Sequence, residues 1–215
     1  MKLGVFGGSF DPIHAGHLEL AKIAQKQFEL AEVMLVPTAV SPFKKNGSVA
    51  SNEARLAMLQ LAIEGEDKLS ICTYDMDRGG RSYTIELMRH LREEHPDAEL
   101  FFIIGGDSLS TLHHWYCSHE LVEEFSFIIF ARAGELLLFS DEFSPQEKEK
   151  LQRFVVPSFN MPVSSTELRQ ALAEGIMPQE ELLPKAVAEY AIANKIYFYK
   201  NAVFYCKILQ KMLQY

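Results

Sequence analysis

Residues 7–17 read Gly-Gly-Ser-Phe-Asp-Pro-Ile-His-Ala-Gly-His, and they follow a short apolar run from Leu3 to Phe6. The apolar run is typical of a buried strand, and an apolar pattern with helical spacing begins near Ala15. The two glycines between them permit a tight turn and a close approach of a ligand to the backbone. The stretch therefore predicts a strand, a glycine turn and a helix start, an arrangement in which backbone N–H groups bind anions such as phosphate.

Two histidines, His14 and His17, lie at the predicted helix start. Residues three apart share one helix face, and both imidazoles can donate hydrogen bonds to phosphate oxygens. Two other interpretations are an ordinary turn with surface histidines, or half of a zinc site in which Asp11 is the only further ligand nearby. The spacings G-x-x-x-x-G-K-[ST] and G-x-G-x-x-G are absent from this stretch. Because glycines and histidines occur together directly after the first strand, we favour a phosphate site.

The composition limits the classes of protein to which the chain can belong. The chain has 215 residues, 48% of them hydrophobic and 23% charged, which is typical of one soluble α/β domain. Its net charge of −8 argues against non-specific binding to nucleic acid or to anionic membranes. We expect neither a signal peptide nor a membrane span, because the apolar runs are too short. The three cysteines, Cys72, Cys117 and Cys206, are far apart, which favours a reducing cytoplasm over a disulfide framework or a metal site.

Apolar runs and helical patterns alternate along the chain. Strands are predicted at residues 3–6, 32–36, 69–73, 100–104, 127–131 and 155–156. Helices are predicted from about residue 15, at 51–63, at 83–94, over 108–124 as one or two, near 146, at 164–173 and at 184–194. Residues 75–82 are expected to form a polar loop, and Pro37 and Pro157 to end their strands. This alternation predicts a single Rossmann-like, doubly wound parallel sheet with helices on both faces.

A second hydroxyl-rich stretch lies in the last third of the chain, where residues 163–169 read Val-Ser-Ser-Thr-Glu-Leu-Arg. Hydroxyls at a helix start can cap backbone N–H groups, and Arg169 falls on the same helical face as Thr166. A polyphosphate there would meet N–H donors, the helix dipole and a guanidinium group. An ordinary capping box of Ser164 and Glu167 is the alternative.

Ligands of doubly wound parallel sheets bind beyond the carboxyl ends of the strands. This rule predicts that residues 7–17, 38–45 and 105–107 lie together at one edge of the sheet.

The G-G-S-F-D-P-x-H-x-G-H stretch and S-S-T-x-x-R at residues 164–169 together resemble the nucleotidyltransferases that carry an H-x-G-H motif. Within that superfamily they are similar to the bacterial nicotinate mononucleotide adenylyltransferases, over roughly residues 1–200. Residues 78–84 resemble that family's R-x-G-x-S-Y-T segment, and residues 105–109 its G-x-D-x-L. In one departure, Ser41-Pro42-Phe43-Lys44 stands where the family has P-P-H-K. Phe43 thus replaces a histidine, and it could instead close over the site as an apolar lid.

The resemblance implies transfer of the adenylyl group of ATP to nicotinate mononucleotide, giving nicotinate adenine dinucleotide and pyrophosphate in NAD biosynthesis. A phosphate monoester is largely ionised at neutral pH, so in-line attack needs no general base and no covalent intermediate. The implied catalytic residues are His14, His17, Lys44 and Arg169, with His17 at the transferred α-phosphate. The implied ATP-binding residues are Gly7, Gly8, Ser9, Phe10, Gly105, Asp107, Ser164, Ser165 and Thr166. The implied mononucleotide-binding residues are Tyr83, Thr84 and Trp115, although Trp115 alone would equally suit a packed core aromatic.

Magnesium is expected to bind through the ATP phosphates and water, with no protein ligand to a metal. The expected partners are ATP and nicotinate mononucleotide, without nucleic acid or membrane, and the expected location is the cytoplasm. Residues 201–215 carry apolar side chains near helical spacing, which indicates a helical tail packed on the domain of residues 1–200, or else a contact in a homo-oligomer. Two other functions stay open: a sibling H-x-G-H transferase with another phosphorylated acceptor, and a nucleotide-binding protein without turnover. A tRNA-charging enzyme is disfavoured by the negative charge and the short chain.

Overall fold

The computed structural model describes residues 1–40, 48–132, 134, 136–159 and 163–198. Six strands form one sheet in the order β3-β2-β1-β4-β5-β6, and every neighbouring pair runs parallel. The strands are β1 (Lys2–Gly8), β2 (Glu32–Pro37), β3 (Leu69–Ile71), β4 (Glu99–Gly105), β5 (Ser126–Arg132) and β6 (Val155–Phe159). This is the strand order of a Rossmann-type sheet, and it confirms the predicted fold class.

The helices lie between the strands as the apolar patterns predict. They are α1 (Ala15–Gln27), α2 (Asn52–Ala62), α3 (Tyr74–Arg78), α4 (Thr84–Glu94), α5 (Gly106–Leu109), a 3₁₀ helix (Leu112–His114), α6 (Ser118–Glu124), α7 (Pro145–Gln152), α8 (Ser165–Ala173) and α9 (Lys185–Ala193). Ser51 caps α2 by accepting a hydrogen bond from the Ala54 N–H, as expected for a serine before a helix.

Side chains alternate between the two faces of a strand, so β4 contributes to two separate cores. Phe101 and Ile103 pack with apolar residues of α1, α2, α8 and α9. Phe102 and Ile104 pack with those of α4, α6 and α7 on the opposite face. Both faces of the sheet are therefore covered, which explains why β4 is apolar without interruption from Leu100 to Ile104.

Several element boundaries differ from the prediction. The polar loop is expected at residues 75–82, but residues 75–78 belong to α3, a helix too short to show an apolar period, in which Asp75 is buried. Pro157, expected to end its strand, lies inside β6. A proline is tolerated there because β6 is at the edge of the sheet, where the missing N–H can face solvent. The helical region after β4 divides into three short helices, with Cys117 in the left-handed region at φ 51°. Pro184 is the cap of α9 instead of its first residue.

Two predictions fall on parts of the chain outside the described residues. The first concerns residues 41–47, which contain Phe43 and Lys44. The second concerns the tail at residues 201–215, so its packing on the domain stays a prediction. Among the helices of the described ranges, none has the length and apolar character needed to cross a membrane.

Candidate active site

The loop between β1 and α1 packs closely around the buried ring of its own residue Phe10. The Phe10 ring is buried, its φ of 45° lies in the left-handed region, and it packs edge-on against the His17 ring at 5.1 Å between centroids. A Cβ atom added at Gly8 would lie 2.9 Å from the Phe10 ring, closer than carbon atoms normally approach. Gly8 is thus required by packing within the loop, in addition to any role in binding phosphate.

His14 and His17 form one unit at the start of α1. Their rings stack with centroids 3.7 Å apart, and the His14 backbone N–H donates to Nδ1 of His17 at 3.3 Å. Because His17 Nδ1 accepts this bond, the proton of the neutral imidazole belongs on Nε2. His17 is half-buried and His14 is almost fully buried. The local fold therefore favours the His17 tautomer in which Nε2 carries the proton.

Burial also sets the charge of His14. It lowers the pKa of His14 from 6.5 to about 4, and a backbone hydrogen bond opposes this shift only in part. His14 is consequently neutral at pH 7 and can act as a hydrogen-bond donor without charge. An arriving phosphate would favour the protonated form, because an opposite charge nearby raises the pKa of a histidine.

This shift predicts a loss of stability in mild acid. Between pH 6.5 and about 4 the unfolded chain protonates His14 while the folded chain does not. The free energy of unfolding therefore holds above pH 6.5 and falls as the pH drops towards 4, by up to about 3 kcal/mol from this group. Urea unfolding at several pH values tests the prediction. In a His14→Gln variant the decline over this window should be clearly shallower, and an unchanged decline would contradict it.

The second motif meets the first at the same loop. Arg169 Nη1 donates to the backbone carbonyl of Asp11 at 2.7 Å, although the two residues are 158 positions apart. Arg169 Nη2 donates to Thr166 Oγ1 at 3.0 Å, and Ser165 Oγ donates to the Pro12 carbonyl at 3.3 Å. Ser164 accepts from the Thr166 N–H, which is not the bond that defines a capping box. The N-terminal ends of α1 and α8 therefore lie side by side, with a guanidinium group between them.

Gly16 of α1 lies close to Val163, in the segment just before α8. A Cβ atom there would lie 2.8 Å from Val163 Cγ1 and 3.2 Å from the His14 ring. The glycine of the H-x-G-H pattern is thus explained by the approach of the segment before α8. A side chain at this position would force the two motifs apart.

We expect Gly16→Ala to lower the free energy of unfolding by about 1–3 kcal/mol, as overpacking does in closely packed sites. Turnover should fall as well, because the two phosphate-binding helix starts would separate. The double variant Gly16→Ala with Val163→Ala removes the nearest clashing atom, so it should recover part of both losses. Chemical unfolding and steady-state kinetics on both proteins measure this. Failure of Val163→Ala to restore any stability would contradict the contact.

The residues predicted to bind the mononucleotide lie in a third region of the site, near the C-terminal ends of β2 and β4. The Ser82 N–H donates to the Val40 carbonyl at 3.1 Å, and Ser82 Oγ accepts from the Ala39 N–H at 3.0 Å. These bonds hold the start of α4, where Tyr83 is the cap and Thr84 the first residue, against the segment after β2. The N–H groups of a first helical turn lack partners within the helix, so they can receive a carboxylate.

The aromatic residues of this region have different degrees of burial. Trp115 is half-buried and packs edge-on against Phe102 of β4 at 6.0 Å, so it belongs partly to the core. The exposed ring of Tyr116 lies 4.8 Å from that of Tyr83. At the end of β4, Asp107 is exposed, and a Cβ atom at Gly105 would lie 2.6 Å from its Oδ1. Gly105 therefore leaves room for the Asp107 carboxylate, whose role in binding ATP stays a prediction.

Sequence analysis did not identify the role of two residues that support the site. Asp11 is buried, and its carboxylate accepts from the N–H groups of Val49 and Ala50 at 2.7 and 3.2 Å. Arg55 is fully buried and donates to the carbonyls of Ser9 and Thr38, each at 2.6 Å. A signal for Arg55 existed, because it occupies an apolar stripe of α2 with spacing i, i+3, i+4 and i+7. That stripe continues through Met58, Leu59 and Ala62.

Within the described ranges, one group of side chains has the composition of a metal site: His113, His114 and Glu142. Their ligand atoms are separated by up to 4.8 Å. His114 and Glu142 are exposed, and exposed acidic groups are common without a bound ion, so this group carries no assignment as a metal site.

Comparison with known proteins identifies the family of the chain. The model of the cytidylyltransferase-like family matches residues 5–171. A relative from Halalkalibacterium halodurans, named a probable nicotinate-nucleotide adenylyltransferase, is 42% identical over 91% of both chains. A relative of the same name from Herpetosiphon aurantiacus is 38% identical over 91% of this chain and 98% of its own.

Solved structures share the fold. The Plasmodium falciparum nicotinic acid mononucleotide adenylyltransferase, solved in complex with NaAD, superposes with a TM-score of 0.70. It is 21% identical over 91% of this chain and 97% of its own, so this likeness supports the architecture alone. The sequence relatives are similar enough to assign the family. The chain belongs to the cytidylyltransferase-like family and, within it, to the nicotinate-nucleotide adenylyltransferases.

Proposed function

We propose that this protein transfers the adenylyl group of ATP to nicotinate mononucleotide, giving nicotinate adenine dinucleotide and pyrophosphate in NAD biosynthesis. The observation that carries the proposal is the convergence of Arg169 and the start of α8 on the loop that ends in His14 and His17. Membership of the nicotinate-nucleotide adenylyltransferases supports the choice of both substrates.

The reaction needs positioning and charge stabilisation more than proton transfer. A phosphate oxygen of the mononucleotide attacks the α-phosphorus of ATP in line, and the bond to the bridging α–β oxygen breaks as pyrophosphate leaves. The nucleophile is already ionised, because the second pKa of a phosphate monoester is about 6. His17 Nε2–H and neutral His14 would hydrogen-bond the phosphates that carry the developing charge. The positive ends of the α1 and α8 dipoles and Arg169 would stabilise the departing pyrophosphate.

The remaining predicted roles belong to the same proposal. Gly7, Gly8, Ser9 and Phe10 would shape the backbone around the phosphates, while Ser164, Ser165 and Thr166 would hold the polyphosphate. Lys44, outside the described residues, would neutralise phosphate charge. Magnesium would bind through the phosphates and water. We further propose that the enzyme works in the cytoplasm, with these small molecules as its partners.

Selection of nicotinate mononucleotide over nicotinamide mononucleotide would come from the start of α4. Backbone N–H groups at Tyr83 and Thr84 suit the nicotinate carboxylate, because they add hydrogen bonds and the positive end of a helix dipole. Nicotinamide carries no charge to meet them. Trp115, half-exposed beside this helix start, would stack on the pyridine ring.

The test is pyrophosphate release from ATP and Mg²⁺ with a series of acceptors offered one at a time. Nicotinate mononucleotide should support turnover, and nicotinamide mononucleotide should support it more slowly. Equal rates with the two would remove the argument for the carboxylate. Turnover with 4′-phosphopantetheine or a phosphorylated alcohol in place of either mononucleotide would assign a sibling transferase. ATP binding without release for any acceptor would indicate a nucleotide-binding protein.

A further inference from the structure

Four separate segments meet at Asp11. Its carboxylate accepts from the Val49 and Ala50 N–H groups ahead of α2, and Oδ1 also accepts from the hydroxyl of Tyr197 at 2.9 Å. Its backbone carbonyl accepts from Arg169 of α8. Asp11 and Tyr197 are both almost fully buried, at 3% and 1% exposed. The carboxylate thus joins the β1–α1 loop, the segment before α2 and the segment after α9, while the carbonyl joins α8.

The charge of Asp11 is balanced from nearby. Arg55 is buried, its positive charge interacts favourably with Asp11, and its two Nη atoms bind the carbonyls of Ser9 and Thr38. A buried carboxylate is held by its charge partner and by the hydrogen bonds that replace water. Tyr197 supplies the one side-chain hydroxyl recorded among these donors in the described part of the chain. Losing that hydroxyl would leave Asp11 with an incomplete set of donors in a buried position.

We infer that Tyr197 is a positioning residue for adenylyl transfer, acting through the carboxylate of Asp11. The inference rests on the proposed function. Asp11 lies three residues before His14 on the same loop, and its carbonyl anchors Arg169. The Tyr197 hydroxyl therefore fixes the backbone that places both phosphate-binding groups, although Tyr197 itself touches no predicted substrate position. Small displacements of such groups are costly, since a misplacement of about 1 Å can lower a rate on the order of a hundredfold.

The direct test is Tyr197→Phe, which removes only the hydroxyl. We expect kcat to fall about tenfold, while KM for ATP changes less than about twofold, because alignment in the transition state is lost and ground-state contacts persist. Tyr190→Phe is the matched control, since Tyr190 is a half-buried tyrosine of α9 that lines a surface pocket beside α2. Its kcat should stay near the wild-type value. All rates are measured well below the unfolding temperature of each protein.

Hydrogen exchange gives a readout that does not depend on activity. In Tyr197→Phe, the amides of Val49 and Ala50 should exchange faster than in wild type and in Tyr190→Phe, because their acceptor is less firmly held. If wild type itself lacks adenylyl transfer, the proposed function fails, while this exchange result still decides whether Tyr197 holds Asp11. If Tyr197→Phe does not fold, Asp11→Asn provides the second variant, because it keeps the volume and removes the charge.

Three outcomes would overturn the inference. Folded Tyr197→Phe could retain the wild-type kcat, Tyr190→Phe could lose as much kcat as Tyr197→Phe, or the exchange of Val49 and Ala50 could stay unchanged. A lower unfolding temperature with unchanged kcat would likewise assign Tyr197 a purely structural role. A fall in kcat specific to Tyr197→Phe, together with faster exchange at Val49 and Ala50, supports the inference. Where Asp11→Asn is used, unchanged kcat or unchanged exchange at Val49 and Ala50 would overturn the inference, because Tyr197 is inferred to act through that carboxylate.

Discussion

His17→Ala should lower kcat for dinucleotide formation by roughly two to three orders of magnitude, the usual cost of removing a donor to developing charge. The reason lies in the proposed role of His17: the His14 N–H donates to His17 Nδ1, which places the proton of a neutral imidazole on Nε2, the proposed donor to the α-phosphate. The effect should appear mainly in kcat, because charge at the transferred phosphorus changes in the transition state. Steady-state kinetics with saturating mononucleotide measures it.

A second variant separates this chemical role from the role in capping α1. His17→Glu keeps an acceptor for the His14 N–H, in the position that glutamate takes in a capping box, but it offers phosphate no donor and adds a negative charge. It should therefore fold with near wild-type stability and lose at least as much kcat as His17→Ala. His95→Ala, at the C-terminal end of α4, is the matched control and should leave kcat unchanged. Near wild-type turnover by folded His17→Glu would contradict the assignment.

Arg55→Met should lower the free energy of unfolding by about 3–5 kcal/mol, because it leaves two carbonyls without their buried charged donor, at about 1–3 kcal/mol each. The substitution keeps an apolar side chain of similar length in α2. However, it strips the Ser9 and Thr38 carbonyls of their donor and removes one favourable positive charge near Asp11. Such a loss is a large part of the total stability of an ordinary domain, about 5–15 kcal/mol. Urea unfolding measures it, and activity should fall in parallel because both loops border the site.

Two further substitutions make this test specific. Arg92→Met removes an exposed arginine that pairs with Glu124, and it should cost less than about 1 kcal/mol. Arg55→Lys keeps the charge but cannot reach both carbonyls with one ammonium group, so its cost should be intermediate. Equal costs for Arg55→Met and Arg92→Met would show that the buried hydrogen bonds of Arg55 contribute little.

The fold followed from the sequence because its signals are local and repeated. Apolar runs alternate with helical patterns, and the two-sided burial of β4 keeps Phe101, Phe102, Ile103 and Ile104 apolar. The convergence of the two motifs was implied by the family resemblance, and the structure shows it in the bonds of Arg169 and Ser165 to the loop after β1. Pro157 shows the limit of this reasoning, because a proline is tolerated in an edge strand and sequence alone does not say which strand is the edge.

The interior supports of the site could be anticipated only in part. Arg55 interrupts an apolar stripe, which is a readable sign of a buried charge with partners. Nothing local to Tyr197 indicates that its hydroxyl meets Asp11, because the two residues are 186 positions apart. The reason for Gly16 was equally hidden, since it depends on the approach of Val163 from a distant part of the chain. Contacts of this kind are set by tertiary packing, which residue patterns along one chain do not encode in a readable form.

The most direct test of adenylyl transfer is to follow the phosphorus atoms themselves. Wild-type protein is incubated with ATP, Mg²⁺ and nicotinate mononucleotide, and the mixture is observed by ³¹P nuclear magnetic resonance. The account predicts one new dinucleotide, with the mononucleotide phosphorus and the ATP α-phosphorus joined, for each pyrophosphate released. Release of AMP with pyrophosphate and no dinucleotide, or of ADP with phosphate, would contradict it.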